Sequence, residues 1–113
     1  MKTRFEKIMK IASELLSYCH HHGAKELHLD IFEEKNAVLL NMRACLDDMP
    51  KDRLEYLSNA LNTPRQREVE QDYWELIGES EDFAEMQLLG MLCDDATVDY
   101  TGQVLSITLK RHD

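Results

Sequence analysis

The sequence predicts a single α/β (α+β) domain, a two-layer sandwich in which helices cover one face of a mixed, mostly antiparallel sheet of about four strands. Two stretches of alternating apolar residues predict two strands each, and between and before them the apolar residues recur at helical spacing. The expected element order is α-β-β-α-α-α-β-β. A length of 113 residues suits one domain over residues 1–113, large enough to bury a core without disulfide bonds.

The first helix is predicted over residues 4–22. Its apolar positions recur at steps of three and four, which places them on one helix face, and Gly23 is a natural C-terminal stop. The stripe consists of Phe5, Ile8, Ile11, Ala12, Leu15, Leu16 and Cys19.

Strict alternation of apolar and polar residues follows the helix and returns near the end of the chain. The first alternating segment and its continuation beyond the polar residues 33–36 predict a hairpin with one buried face. A second pair of strands is expected on either side of Gly102. The inward residues are Leu27, Leu29, Ile31, Val38, Leu40, Met42 and Ala44 in the first pair, and Val98, Tyr100, Leu105, Ile107 and Leu109 in the second.

The middle of the chain predicts three helices. Asp47 or Asp48 can cap a helix that Pro50 opens and that ends before Asn62. Thr63, followed by a proline and three residues later by Gln66, has the spacing of a capping box, so a second helix is expected from residue 64 to residue 78. A third helix is expected after the acidic residues 79–82, starting at residue 83.

Composition limits the partners and the compartment. With 22 acidic and 13 basic residues the formal net charge is −9, which opposes nucleic acid and anionic membranes and would attract a basic partner. Cys19, Cys45 and Cys93 are widely spaced and flanked by apolar residues, as reduced, buried thiols of a cytoplasmic protein are. No segment has the apolar length of a signal peptide core or a membrane span. A cytoplasmic protein without nucleic-acid or membrane partners is therefore expected.

The segment from residue 14 to residue 31, ELLSYCHHHGAKELHLDI, joins a helix end to a strand. Together with the element order, it resembles the nucleotide-binding domain of histidine kinases, gyrases and mismatch-repair ATPases, the Bergerat-fold family, over nearly the whole chain. That family carries a Glu, or a similar polar group, four residues before an Asn that binds Mg²⁺. The resemblance places Glu14 at the first position and Tyr18 at the second, and a phenol is a poor substitute for the amide ligand.

The two other signatures of the family are also altered. Its Asp-x-Gly-x-Gly turn corresponds to residues 44–48, where Ala44 replaces the aspartate and Leu46 and Asp48 replace the glycines. Its glycine-rich phosphate loop corresponds to residues 79–83, where three carboxylates would repel a triphosphate. The resemblance thus implies a vestigial nucleotide cleft, formed by Glu14, Tyr18, Ala44, Leu46, Asp48, Met49, Glu81 and Phe83.

Other reactive residues each have a plainer interpretation. Cys19 and the histidines 20–22 and 28 suggest zinc, but consecutive helical residues point about 100° apart, and a solvated helix end explains them without a metal. Glu14 could act as a base or be a surface residue, and Cys19 with His22 could form a nucleophile pair or belong to the core. The acids at 47 and 48 could hold a cation or cap a helix. No metal and no catalytic residue is predicted.

The helical middle offers a second candidate surface, from residue 64 to residue 79. It combines Arg65 and Arg67 with two aromatic residues. Tyr73 fits the buried stripe, whereas Trp74 lies about 100° around the helix and could either anchor a partner or pack against a neighbouring helix.

These observations predict a non-catalytic regulatory or protein-interaction module, without a cofactor, that binds an unknown protein or its own copy. The alternative is a protein that still binds ATP or another small ligand through an altered cleft. A third possibility is an unrelated α+β domain whose resemblance to the family is accidental.

Overall fold

The computed structural model describes residues 3–76 and 85–113. It contains the predicted order of elements, α-β-β-α-α-α-β-β, with a short 3₁₀ helix before the third α-helix. The elements are α1 (Arg4–His21), β1 (Glu26–Glu33), β2 (Ala37–Cys45), α2 (Lys51–Leu61), the 3₁₀ helix (Arg67–Val69), α3 (Glu70–Leu76), α4 (Glu85–Gly90), β3 (Asp95–Thr101) and β4 (Val104–His112).

The four strands form one open sheet in the order β1-β2-β4-β3, and each neighbouring pair is antiparallel. The two hairpins therefore meet through their second strands, β2 and β4, which form the centre of the sheet. Met42 lies at this centre, opposite Leu29 of β1 and Ile107 of β4. The strands β1 and β3 are left at the two edges.

The two faces of the sheet have opposite character. On one face, Met42 and Ile107 are completely buried against the helices, together with Leu15 of α1 and Leu57 of α2. The other face carries the alternating polar residues, and at its centre the Asn41 amide donates a hydrogen bond to the Thr108 hydroxyl at 2.7 Å. An antiparallel sheet tolerates this arrangement because alternate side chains point to opposite faces.

The helix α1 forms where the sequence predicts it. The Thr3 side chain caps it by accepting a hydrogen bond from the Glu6 backbone at 3.1 Å. Its buried residues, from Ile8 to Cys19, lie on the predicted face, and Gly23 leaves the helix with a positive φ of 92°.

The predicted cap of α2 is wrong. Pro50 occupies the cap position, and no side chain caps the helix. Asp47 instead forms an ion pair with Lys25 at 2.8 Å, and Asp48 is exposed. The acids lie too early, because the chain first extends through Met49, which packs into the core, before the helix begins.

The predicted capping box at Thr63 is also wrong. Residues 64–66 are irregular, and α3 begins only at Glu70, after the 3₁₀ helix. The Gln66 backbone N–H donates to the Met91 carbonyl at 2.8 Å. This tertiary hydrogen bond takes the place of the one that the Thr63 side chain would accept in a capping box. The predicted end of this helix at residue 78 and the start of the next at residue 83 lie outside the described residues.

No helix within residues 3–76 or 85–113 is both long enough and apolar enough to cross a membrane.

Candidate functional site

Tyr18 lies on the inner face of α1 and is only 3% exposed. Its ring contacts that of His22 one helical turn later, with centroids 4.5 Å apart. Burial raises the pKa of Tyr18, although the positive charge of Arg53 from α2 opposes this. Burial also lowers the pKa of His22, and the charges of Arg53 and His21 add to the effect. The side chain at the position that the resemblance assigns to the metal ligand is therefore part of the hydrophobic core.

Three further residues of the predicted cleft are also in the core. Ala44, Leu46 and Met49 are all buried, the first two almost completely. The carbonyl of Leu46 accepts a hydrogen bond from the Tyr100 hydroxyl at 2.6 Å, so this backbone group is bonded within the domain. Asp48 is exposed. Of these four predicted cleft residues, three are buried in the core and one, Asp48, faces solvent, so they do not line a common cleft.

The remaining predicted cleft positions are partly described. Glu14 is half-buried on α1, whereas Glu81 and Phe83 lie outside the described residues. Among residues 3–76 and 85–113, no three His, Cys, Asp or Glu side chains converge in a way that could hold a metal ion. Cys19 and Cys93 are buried as predicted, but Cys45 is half-buried on the open face of the sheet.

On α3, Trp74 rather than Tyr73 is the buried aromatic residue. Trp74 is 3% exposed, and its ring lies 5.2 Å from the Arg111 guanidinium and 5.8 Å from the Lys7 ammonium. Lys10 also donates to the Trp74 carbonyl at 2.9 Å. The structure therefore favours the packing interpretation of Trp74. Tyr73 is half-buried against the same core.

Arg65 belongs to a partly buried network that joins the start of α3 to β4. It donates to Glu70 at 2.6 Å and to Asp94 at 2.7 Å, and its side chain is only 7% exposed. Glu70 also accepts a hydrogen bond from Arg111 at 2.9 Å, and Arg111 donates to the Leu92 carbonyl as well. Of the four residues predicted to bind a partner, Arg65, Arg67, Tyr73 and Trp74, Arg67 is the one with a largely exposed side chain.

The carboxylates of this network are held in their charged form. Burial raises the pKa of Glu70, but hydrogen bonds and positive charge from Arg65 and Arg111 outweigh it, so the pKa lies below 4.5. The pKa of Asp94 is lowered in the same way, because the His112 backbone hydrogen bond and the Arg65 charge outweigh burial. Charged hydrogen-bonded pairs of this kind stabilise the folded arrangement when both partners are present. The cluster thus has a structural explanation.

A second surface was not anticipated. The apolar side of α1 next to β1 remains open, and the predicted core residue Phe5 is 55% exposed, with Met9 41% exposed. Phe5 was expected in the buried stripe, but more than half of its surface is exposed, so this assignment is wrong. Beside it, the helix-side residues of β1 are only half-buried. We call this surface the α1–β1 margin; it consists of Phe5, Met9, Leu16, Leu27, Leu29 and Ile31.

A groove lies at one end of this margin. It has a volume of about 430 Å³ and is lined by Leu16, Ser17, His20, His21 and Leu27. It establishes that the Leu16 side of α1 faces β1. Phe5, Met9 and Leu16 lie on the same side of the helix, since their spacings of four and seven residues return to one face. The sequence could have predicted this surface, because the apolar residues of α1 cover a wider part of the helix than the core can bury.

No protein-family model matches the chain, and no curated protein matches it significantly.

Proposed function

We propose that this chain is a non-catalytic interaction module of the cytoplasm, on a degenerate histidine-kinase-type ATPase-like fold, and that it binds a protein along the α1–β1 margin. The observation that carries the proposal is the margin itself. Apolar side chains of α1 remain exposed there, beside the half-buried apolar side chains of the edge strand β1. Edge strands and exposed apolar patches are common protein-binding features.

The absence of catalysis is supported by the altered cleft. Tyr18, Ala44 and Leu46, which stand where the resemblance expects the metal ligand and two residues of the adenine-binding turn, are all buried in the core. Tyr18 stands at the position of the amide that binds Mg²⁺, and Ala44 stands at the position of the carboxylate that binds adenine. The chain therefore lacks, at these positions, the groups that Mg²⁺-dependent ATP hydrolysis requires in the family it resembles.

The test uses immobilised protein and two matched variants. Phe5 and Tyr56 are equally exposed, each at 55%, but only Phe5 lies in the margin. We expect a cross-linked partner to be recovered by the wild-type chain and by Tyr56→Asp, and to be lost with Phe5→Asp. Recovery of the same partners by all three proteins would argue against the margin as the binding surface.

The alternative function is binding of ATP or another small ligand, for which the groove beside Leu16 offers a location. A thermal-shift assay separates the two functions. A ligand present at about 100 times its dissociation constant stabilises a fold by about 2.7 kcal/mol. We expect no rise in Tm with ATP, with or without Mg²⁺. A saturable rise would support the alternative, and its loss in Ser17→Trp, which would fill the groove, would locate the site.

A further inference from the structure

We propose that the protein bound at the α1–β1 margin is a second copy of this chain. In this dimer the two β1 strands pair antiparallel about a two-fold axis at Leu29 and join two four-stranded sheets into one of eight strands. The inference rests on the proposed function in that it uses the same surface, but it adds the identity of the partner and the register.

Among residues 3–76 and 85–113, no backbone group pairs with the outer side of β1, so the groups required for pairing are free within this part of the chain. Glu34, just after the strand, donates its N–H to the Ala37 carbonyl, which is on the β2 side. Since successive residues of a strand point their backbone groups to opposite sides, those of the odd-numbered residues 27, 29 and 31 point away from β2. Leu29 of each copy can therefore donate to and accept from Leu29 of the other.

The same axis pairs apolar side chains on the helix face. A two-fold axis perpendicular to the sheet keeps the helix layers of both copies on the same side. Leu29 then lies opposite its own copy, and Leu27 lies opposite the second copy's Ile31. These residues are half-buried in the single chain, and the pairing would cover them.

Complementary polar pairs favour this register. About Leu29, His28 lies opposite the second copy's Asp30, and Lys25 lies opposite the second copy's Glu33. Each pair occurs twice because the dimer is symmetric. Within the single chain, Asp30 lies 3.7 Å from Arg43 and Lys25 pairs with Asp47, and both of these pairs are largely exposed. His28 and Asp30 are both largely exposed, and directly opposed residues in such a ladder have their Cβ atoms about 5 Å apart, within reach of a hydrogen bond between imidazole and carboxylate.

Other registers lack this agreement. Moving the axis to His28 places Glu26 opposite the second copy's Asp30, and moving it to Asp30 places two copies of that carboxylate opposite each other. Both arrangements oppose like charges, which destabilises a ladder. An axis at Leu27 would leave residues 29–33 without a strand residue opposite them, and an axis at Ile31 would place the apolar Leu29 opposite the second copy's Glu33.

The other edge of the sheet is unsuited to self-pairing. The outward-facing charged side chains of β3, Asp95 and Asp99, are both acidic, so two copies of β3 offer no complementary charge pair. This difference between the edges is typical of sheets that protect one edge from association. The dimer is therefore expected through β1 alone.

The experiment measures the dimerisation constant by sedimentation equilibrium and tests the register by charge exchange. Asp30→Lys opposes the second copy's His28 at two sites, and His28→Asp opposes the second copy's Asp30 at two sites. We expect each single variant to dimerise about tenfold more weakly, and the double variant His28→Asp/Asp30→Lys to recover the wild-type constant. The control Asp95→Lys makes the same change of charge on β3 and should leave the constant unchanged.

Cross-linking provides a second measurement of the same register. Leu29→Cys should form a disulfide-linked dimer on mild oxidation, since opposed residues lie within the Cα separation that a disulfide bridges. Lys25→Cys should not, because its two copies would lie about 27 Å apart along the paired strands. The inference would be overturned if the chain were monomeric at all concentrations, or if the single variants had the same dimerisation constant as the wild type. The proposed function would then still be judged separately, by loss of another partner in Phe5→Asp.

Discussion

Glu70 accepts a hydrogen bond from Arg111 at 2.9 Å, although 41 residues separate them in the sequence. The contact joins the first turn of α3 to the last strand of the sheet. Trp74, one turn further along α3, lies beneath the same guanidinium. A charged pair and an aromatic contact thus attach α3 to the sheet at one point.

The first prediction concerns this attachment. Glu70→Gln leaves Arg65 and Arg111 in a partly buried position without their shared carboxylate, so we expect the free energy of unfolding to fall by about 2–3 kcal/mol. Urea unfolding followed by circular dichroism measures the change. Glu68→Gln, at an exposed position of the 3₁₀ helix, should change stability by less than about 0.5 kcal/mol. Equal effects of both variants would show that the network contributes nothing specific.

The second prediction is the acid sensitivity of the fold. The pKa values of Glu70 and Asp94 are lower in the folded state than their ordinary values of 4.5 and 3.8. Their stabilisation is therefore complete above those ordinary values and is lost as the pH falls through the lower folded-state pKa values. We expect the urea midpoint to drop in this acid range, and to drop less in Glu70→Gln than in the wild type. An identical pH profile for the two proteins would contradict the assignment.

The third prediction concerns Gly90, where α4 crosses α2. A Cβ atom at this position would lie 2.4 Å from the Ala60 carbonyl oxygen and 2.9 Å from that of Leu61. Because these are backbone atoms, the helices would have to separate. We expect Gly90→Ala to lower the free energy of unfolding, measured in urea, by about 1–3 kcal/mol, although alanine has a better helix propensity than glycine.

Gln87→Ala, at an exposed position of the same helix, is the control and should not lower the free energy of unfolding in this way. A Gly90→Ala variant that is more stable than the wild type would refute the close approach of α4 to α2.

The fourth prediction concerns thiol reactivity. Burial raises the pKa of the Cys19 and Cys93 thiols to about 12, so neither should react in the folded protein. Cys45 is more accessible, but a hydrogen bond to Glu26 at 3.4 Å raises its pKa above the ordinary value. We expect a thiol reagent to modify Cys45 alone, and slowly. All three cysteines should react in denaturant.

A variant tests the role of the carboxylate in this slow reaction. Glu26→Gln removes the negative charge beside the sulfur, which should lower the pKa of Cys45 and speed its modification. Glu33→Gln, near the other end of β1, should leave the rate unchanged. Rapid modification of Cys19 or Cys93 in the native protein would contradict their burial.

The predicted elements with a strong local signal are confirmed. The stripe of α1 and the alternation of β1 and β2 follow from side-chain periodicity, which depends only on residues close in sequence. The start of α3 could not be predicted in the same way, because the hydrogen bond from Gln66 to Met91 competes with the local capping pattern.

The sequence by itself determined the order of the elements and the alternation that gives the sheet one apolar face. Only the tertiary structure decided that Trp74 is buried beneath Arg111, and that Phe5 and Met9 remain exposed. The physical reason is that a helical pattern specifies which residues share a face, whereas the position of the helix over the sheet decides how much of that face is covered.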